Sequence, residues 1–203
     1  MHKEILSPEQ VRLFPMLKFA SADFGLVGGT AVALHLGHRR SIDFDLFSYE
    51  AFDNNDIKRK IARVAEISKT FVKHPGEYTF LSGEVKVTFY QYPYVIEYKD
   101  RLDDIIKIPD LLTLSAMKAF ALGKRAKWKD YVDLYFIMKN FHALADISNK
   151  AKEIFGDEFN EKLFRVQLSY FNDINYDEQV EFLPGFETSE ETIKNALVDW
   201  SMQ

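Results

Sequence analysis

The first 100 residues carry short runs in which hydrophobic and polar positions alternate, as they do in β-strands. Residues 56–69 instead repeat their apolar positions every three to four residues, which predicts an amphipathic helix. Gly76 and Gly83 lie in short turns between the last three strand-like runs. Those runs and the two before them cover residues 24–27, 41–47, 70–73, 78–81 and 84–90.

Residues with special backbone preferences mark helix boundaries near the N-terminus. The run Ser-Pro-Glu-Gln at 7–10 is a capping box with proline at the first helical position. Pro15 interrupts the apolar repeat that follows, so we expect a kink or a restart there. A short helix is predicted over residues 31–36, and Gly37 is expected to end it.

Beyond Pro93 the pattern becomes helical. One helix is predicted from Pro109 to about Leu122, before Gly123, and another over about residues 127–140. Two or three further amphipathic helices are predicted over residues 144–200. The sequence thus predicts an α+β fold, with an α/β domain over residues 1–100 and a helical domain over residues 101–203 packed against it.

Composition changes this picture little. Of the 203 residues, 47% are hydrophobic and 28% are charged, which is ordinary for a globular protein. The net charge is -5, whereas a protein that binds duplex DNA is expected to carry a basic surface. The absence of cysteine excludes disulfides and thiolate metal sites. The polar N-terminus resembles no signal peptide and no apolar run approaches ~18 residues, so we expect a cytoplasmic protein without membrane contact.

Asp43 and Asp45 stand at alternate positions of a predicted strand and therefore point to the same side. Neighbouring carboxylates repel each other, and burial would raise their pKa values unless a cation compensates. Mg²⁺ (or Mn²⁺) prefers such oxygen ligands and keeps coordination sites for substrate phosphates. The pair is therefore a candidate metal site, and the alternative is a solvated polar strand face.

Gly28, Gly29 and Thr30 form a turn between a predicted strand and a predicted helix. Glycines allow close approach of a ligand, and the N–H groups at a helix N-terminus bind phosphate. The alternative is an ordinary tight turn. The spacing matches neither the dinucleotide-binding G-x-G-x-x-G nor the phosphate-binding G-x-x-x-x-G-K-[ST] loop.

A second polar group surrounds the junction of the two helices predicted after residue 109. Lys118 and Arg125 lie near the end of the first helix, and Asp130 and Asp133 share a face of the second. A basic side chain here could neutralise triphosphate charge, and an aspartate could orient it. The alternative is a set of surface ion pairs of little energetic consequence.

The segment GGTAVALHLGHRRSIDFDLF, residues 28–47, resembles the nucleotidyltransferase superfamily and, more closely, the AbiEii/AbiGii-type abortive-infection toxin family. The resemblance implies a nucleotidyltransferase-like mixed β-sheet and a cytoplasmic toxin encoded beside an antitoxin. It implies that Gly28, Gly29 and Thr30 bind nucleotide phosphates and that the two aspartates bind the metal. It also implies that Arg39 or Arg40, together with Ser41, flanks the site, and that Arg39 and Ser41 bind the nucleotide.

Residues 118–135 resemble the same family, which carries a lysine helix followed by an R/K-D-x-x-D-L segment. This match implies catalytic roles for Lys118 and Asp130, alongside Asp43 and Asp45. It implies a nucleotide-binding role for Arg125. The predicted reaction is transfer of a nucleoside monophosphate from a nucleoside triphosphate to RNA (such as tRNA), a protein or a small molecule.

The pattern departs from the superfamily at one position. Thr88 stands where many members carry a third aspartate, and threonine is no general base near neutral pH. Glu84, in the adjacent turn, is a weak substitute. A second hypothesis is therefore a nucleotide-binding or interaction module with weakened turnover, and a third is a small-molecule adenylyltransferase of the aminoglycoside type.

Two groups of residues near these motifs have a simpler interpretation. His35 could ligate a metal, but on a short core-facing helix it is expected to be packed and hydrogen-bonded. Trp128 and Tyr131 could stack on a base, yet aromatic residues at helical spacing are expected to fill the core.

Overall fold

A computed structural model describes residues 1–203, which fold into a mixed five-stranded sheet, a two-stranded hairpin and nine α-helices. The strands are β1 (Gly25–Val27), β2 (Phe44–Ser48), β3 (Lys69–His74), β4 (Glu77–Ser82), β5 (Val85–Gln91), β6 (Asp100–Leu102) and β7 (Ile106–Ile108). The helices are α1 (Pro8–Arg12), α2 (Phe14–Ala20), α3 (Gly28–Leu36), α4 (Asn54–Ile61), α5 (Leu111–Leu122), α6 (Trp128–Asn140), α7 (Leu144–Phe155), α8 (Glu161–Ser169) and α9 (Glu190–Ser201).

The order of the five strands is β1-β2-β5-β4-β3, and β2 pairs with β5 in parallel while the other neighbours are antiparallel. The register places Asp45 opposite Thr88 and Thr88 opposite Thr79. Because opposed residues of paired strands share a face, these three side chains form a row across the sheet. The other face buries Phe44 and Val87 in the core.

Local signals set the N-terminal helices as the sequence predicts. The Ser7 hydroxyl accepts from the Gln10 amide and the Gln10 side chain accepts from the Ser7 amide, which completes the capping box of α1. Helix α1 ends before Pro15, and α2 restarts with that proline in its first turn. Gly37 ends α3 with φ +69°, in the left-handed region.

Strand β2 begins three residues later than the alternating pattern predicts. The side-chain amide of Gln10 donates to the carbonyl of Ser41 at 2.9 Å, and the Thr30 hydroxyl donates to the carbonyl of Asp43. Because side chains take these carbonyls, residues 41–43 form a loop instead of pairing with β5. Asp43 therefore precedes the strand, and Ile42 is exposed.

Two further elements differ from the sequence prediction: helix α4 is shorter, and a β-hairpin is present that was not predicted. Helix α4 ends at Ile61 instead of continuing to Lys69, and the Ser68 amide already donates to the Leu81 carbonyl at 2.9 Å. The hairpin of β6 and β7 has too short a pattern to be predicted; β7 packs beside β1 and α2.

One hydrophobic cluster draws buried side chains from both halves of the chain, for example Leu34 from α3 and Leu134 from α6. Helix α3 packs against the sheet through β1 and β2 and against the C-terminal half through α5 and α6. This places the start of α3 where the polar face of the sheet meets the later helices. The division into domains at residue 100 stays a prediction. No helix combines the length and apolarity that crossing a membrane requires.

Candidate active site

Two neighbouring cavities lie beside the start of α3. The aromatic cavity, lined by Tyr92, Tyr94, Met117 and Phe120 among others, has a volume of 540 Å³. The polar cavity has a volume of 420 Å³ and is lined mainly by charged and hydroxyl side chains. Five residues line both cavities: Asp45, Phe47, Tyr90, Lys118 and Arg125.

The two glycines at the start of α3 lie against side chains of the site. Gly28 has φ +71°, and a Cβ atom there would collide with the carboxylate of Asp45. A Cβ on Gly29 would lie 2.7 Å from Nη2 of Arg39 and 3.2 Å from Oγ of Ser41. The lack of side chains at Gly28 and Gly29 therefore leaves room for the side chains of Asp45, Arg39 and Ser41. No side chain caps the N–H groups of α3, so these donors remain available to an anion.

Thr30 is buried and its hydroxyl faces the loop before β2. It donates to the Asp43 carbonyl and lies 2.9 Å from Oγ of Ser41. Thr30 thus holds the loop that presents Asp43. Gly29 and Ser41 line the polar cavity, Gly28 lines the aromatic one, and Thr30 lines neither. Nucleotide binding by these residues stays a prediction.

Asp43 and Asp45 both line the polar cavity. Lys86, on β5, places its Nζ 3.0 Å from Oδ2 of Asp43. Burial raises the pKa of Asp45, and the charge of Asp43 raises it further, while Lys86 and Arg125 act in the opposite direction. The charged form of Asp45 is therefore disfavoured in this site, and a bound cation would offset that cost.

A buried ion network joins the segment between α3 and β2 to α5 and α6. Asp133 accepts from Nε of Arg39 at 2.7 Å and from Nη2 at 2.9 Å, and Nε2 of His38 lies 2.8 Å from the same carboxylate. Lys118 Nζ lies 2.7 Å from Asp133 and 2.6 Å from Asp130. Asp133 thus holds Arg39 and Lys118, both of which line the polar cavity.

Asp130 lies between Lys118 and Arg125, whose Nε donates to its second oxygen at 3.2 Å. Burial would raise the pKa of Asp130, but these two cations hold it below its ordinary value. Burial would likewise raise the pKa of Asp133, which Arg39 and Lys118 hold well below its ordinary value. Both carboxylates therefore stay charged and position the basic groups that line the cavities.

The hydroxyl side chains of Thr88 and Thr79 extend the lining of the polar cavity away from Asp45 across the sheet. Oγ1 of Thr79 lies 3.4 Å from Oγ1 of Thr88 and 3.3 Å from Oε1 of Glu77. Thr79, Thr88 and Glu77 all line the polar cavity, whereas Glu84 is exposed and lines neither cavity.

The C-terminal segment contributes a wall that no motif predicted. Glu178 lies 2.6 Å from Nζ of Lys127 and also pairs with Lys129. Burial would raise the pKa of Glu178, but the two lysines lower it to about 2. The segment is fastened by isolated bridges between Lys127 and Asn175 and between Arg39 and Phe182. Residues 175–182 thus cross the edge of the polar cavity.

Other residues near the motifs have structural roles. Nε2 of His35 lies 3.0 Å from the Pro109 carbonyl, in agreement with a packed histidine. Trp128 and Tyr131 are buried in the core, as their helical spacing predicts. Arg40 pairs with Glu181 at the surface.

The site residues that sequence reasoning missed are Lys86, Thr79, Glu77, Lys127 and Glu178. Lys86 and Thr79 follow from strand alternation once the pairing of β2, β5 and β4 is known. No signal in the sequence places Glu178 near Lys127, because the contact joins segments 51 residues apart.

Known proteins resemble this chain over most of its length. The family model described as nucleotidyl transferase AbiEii toxin, type IV toxin–antitoxin system, matches residues 16–199. An uncharacterized protein of Aquifex aeolicus (strain VF5) is 29% identical over 183 residues, which make up 88% of each chain.

Two solved structures are similar in fold. JHP933 of Helicobacter pylori has a TM-score of 0.58 at 16% identity, covering 99% of this chain and 89% of its own. MenT4, a nucleotidyltransferase toxin of Mycobacterium tuberculosis H37Rv, has a TM-score of 0.58 at 11% identity, covering 97% and 86%. The predicted α+β fold is confirmed.

Proposed function

This chain belongs to the AbiEii nucleotidyltransferase toxin family, and we propose that it transfers a nucleoside monophosphate from a nucleoside triphosphate to an acceptor hydroxyl where its two cavities meet. The acceptor oxygen bonds to the α-phosphorus as the bond to the bridging oxygen breaks, and pyrophosphate leaves. The acceptor is RNA (such as tRNA), a protein side chain or a small molecule.

The observation that carries this proposal is the shared wall of the two cavities. Asp45, Lys118 and Arg125 line both the aromatic and the polar cavity. An aromatic cavity of 540 Å³ suits a nucleobase, which stacks on tyrosine and phenylalanine rings. A phosphate chain extending from that base then passes between the acidic pair and the two basic residues.

The basic residues are held ready for developing negative charge. The Lys118 ammonium is held in place by two carboxylates, so little reorganisation is needed for it to meet phosphate oxygens. Arg125, whose side chain is 52% exposed, is anchored to Asp130 and faces both cavities. We assign Lys118 and Arg125 to the phosphates and Asp130 to their positioning.

Asp43 and Asp45 are the residues that would hold Mg²⁺ or Mn²⁺. Their carboxylate oxygens are the donor type that these ions prefer, and two protein carboxylates suffice when phosphate oxygens complete the shell. No third acidic, histidine or cysteine side chain joins them in a metal-binding cluster. When bound, the ion supplies charge neutralisation at the reacting phosphate.

Arg39 and Thr30 have supporting roles under this proposal, and Arg39 also lines the polar cavity. The guanidinium of Arg39 is engaged by Asp133, and Thr30 fixes the loop that carries Asp43. We therefore assign Gly28, Gly29 and Ser41 to the phosphate-facing surface, and Arg39 and Thr30 to its support.

The test is a transfer assay of purified protein with four α-labelled triphosphates, Mg²⁺ or Mn²⁺, and total RNA or lysate protein as acceptors. We expect label on one acceptor class, and its loss by at least 10²-fold in Asp43→Asn and Asp45→Asn. Glu84→Gln, which changes a carboxylate outside the cavities, is the matched control. Transfer that survives both aspartate changes contradicts the site assignment.

A second candidate is a nucleotide-binding module without turnover. It is favoured by Thr88, which lies opposite Asp45 in the β2–β5 ladder where a third carboxylate is expected. Calorimetry with each triphosphate and Mg²⁺ separates the two: tight binding without transfer to any acceptor supports the module.

A further inference from the structure

We propose that Thr88, Thr79 and Glu77 form a proton relay that takes the proton of the acceptor hydroxyl. The inference rests on the proposed transferase function and names the groups that replace the missing third carboxylate. In this arrangement Thr88 touches the acceptor, while Thr79 and Glu77 act through it.

The register of the sheet creates the relay. Asp45, Thr88 and Thr79 are opposed across β2, β5 and β4, so the row begins beside the acidic pair. Thr79 Oγ1 lies within 3.4 Å of Thr88 Oγ1 and within 3.3 Å of Glu77 Oε1. The Thr79 hydroxyl is placed to donate to either neighbour, and its single hydrogen serves one at a time. The relay forms when Thr79 donates to Glu77 and the hydroxyl hydrogen of Thr88 rotates toward Oγ1 of Thr79.

The proton moves from the acceptor hydroxyl to Glu77 in three transfers. The acceptor oxygen gives its proton to Oγ1 of Thr88 as it bonds to the α-phosphorus. Thr88 passes its own hydroxyl proton to Thr79, Thr79 passes its proton to the carboxylate of Glu77, and both threonines end neutral. The electron pair of the broken phosphorus–oxygen bond leaves with pyrophosphate. Glu77, whose side chain is 26% exposed, then returns its proton to water.

Other basic groups of the polar cavity are already engaged. Asp130 is buried between two cations, and Glu178 is paired with two lysines. Glu77 has a looser partner, Nε2 of His74 at 3.4 Å. Among the carboxylates of this cavity outside the acidic pair, Glu77 therefore combines access to solvent with a hydroxyl path to the site.

The experiment is steady-state kinetics in the transfer assay described above, using the wild-type chain, four single variants of the row and one double variant. Glu77→Gln, Thr79→Val and Thr88→Val are expected to lower kcat by about 10²-fold with KM for the triphosphate unchanged, since general base catalysis contributes 10²–10⁴-fold. Thr79→Ser keeps the hydroxyl and is expected to restore kcat to within about fivefold. Thr70→Val on β3 and Glu84→Gln are matched controls outside the cavities.

The double variant Glu77→Gln/Thr79→Val is the sharpest measurement. Groups that act as one unit lose activity once, so the double variant is expected to equal the single ones. Unchanged kcat in Glu77→Gln, multiplicative losses in the double variant, or a Thr79→Ser variant as slow as Thr79→Val would each overturn the relay. A wild-type chain that transfers to no acceptor instead removes the transferase function on which the relay rests.

Discussion

The guanidinium of Arg39 and the carboxylate of Asp133 form a bidentate ion pair. Both side chains are buried, with exposed fractions of 2% and 0%. Its two hydrogen bonds, from Nε and Nη2 of Arg39 to the carboxylate oxygens, measure 2.7 and 2.9 Å. The pair connects the segment before β2 to the middle of α6. It therefore ties the acidic loop to the helix that positions Lys118.

Loss of one partner of this pair leaves a buried charge without compensation. We expect Arg39→Met to lower the free energy of unfolding by about 3–5 kcal/mol. Arg40→Met removes the exposed pair with Glu181 and is expected to cost about 0–1 kcal/mol. Urea unfolding followed by circular dichroism measures both, and equal losses would contradict a structural role specific to Arg39.

The contact between Gly28 and Asp45 predicts a functional loss that strain alone does not produce. Gly28 and Gly83 both have positive φ, so alanine costs about 1–2 kcal/mol of stability at either position. At Gly83 the new Cβ meets nothing within 4 Å, whereas at Gly28 it collides with the Asp45 carboxylate. We expect only Gly28→Ala to lose transfer activity, and a matching loss in Gly83→Ala would rule out this explanation.

Lys86 competes with a divalent ion for Asp43, since its ammonium lies 3.0 Å from the carboxylate. We expect Lys86→Met to tighten Mn²⁺ binding by about fivefold, equivalent to roughly 1 kcal/mol between neighbouring charges in a solvated site. Electron paramagnetic resonance of free Mn²⁺ measures this without any turnover. Lys69→Met on β3 serves as the control, and weaker binding in Lys86→Met would contradict the proposed competition.

The ion pairs of Glu178 predict an acid-dependent loss of stability. The folded-state pKa of Glu178, about 2, lies below its ordinary 4.5, so its contribution is complete above about pH 4.5 and is lost as pH falls toward 2. We expect Glu178→Gln to be less stable than the wild type by about 1 kcal/mol at pH 7, after allowance for solvent screening. Thermal unfolding at pH 7 and pH 3 should show that gap narrowing, and a gap independent of pH would refute the assignment.

Membership of a toxin family predicts a cellular effect of the same aspartates. We expect expression of the wild-type chain to slow bacterial growth and Asp45→Ala to relieve it, because the variant lacks the acidic pair. Glu84→Gln, made at equal protein level, is expected to remain as toxic as the wild type. Growth curves with immunoblots check this, and toxicity retained by Asp45→Ala would disconnect it from the site.

Local rules predicted the elements that begin and end on single residues. The capping box at residues 7–10, the restart at Pro15 and the left-handed end at Gly37 all depend on a few neighbouring atoms. The same logic failed at the start of β2, because Gln10 and Thr30 reach the carbonyls of residues 41–43 from elsewhere in the fold.

The residues that line the site were predictable from the sequence only where they belong to a motif or to an alternating strand pattern. Asp43, Asp45, Lys118 and Arg125 were predicted in a common site, and the polar cavity contains all four. The pairing of Lys86 with Asp43 needed the parallel β2–β5 ladder, and Glu178 needed the path of the C-terminal segment, neither of which has a local signature.

The bond between Arg39 and Asp133 spans 94 residues of sequence. During synthesis at about 5–20 residues per second, the ribosome makes the acidic loop roughly 5 to 20 s before it makes the partner that anchors it. A nascent chain that ends before residue 130 therefore carries Asp43 and Asp45 but lacks the two carboxylates that hold Lys118. The acidic pair is therefore made early, and the ion network that anchors its loop is completed only once α6 has been synthesised.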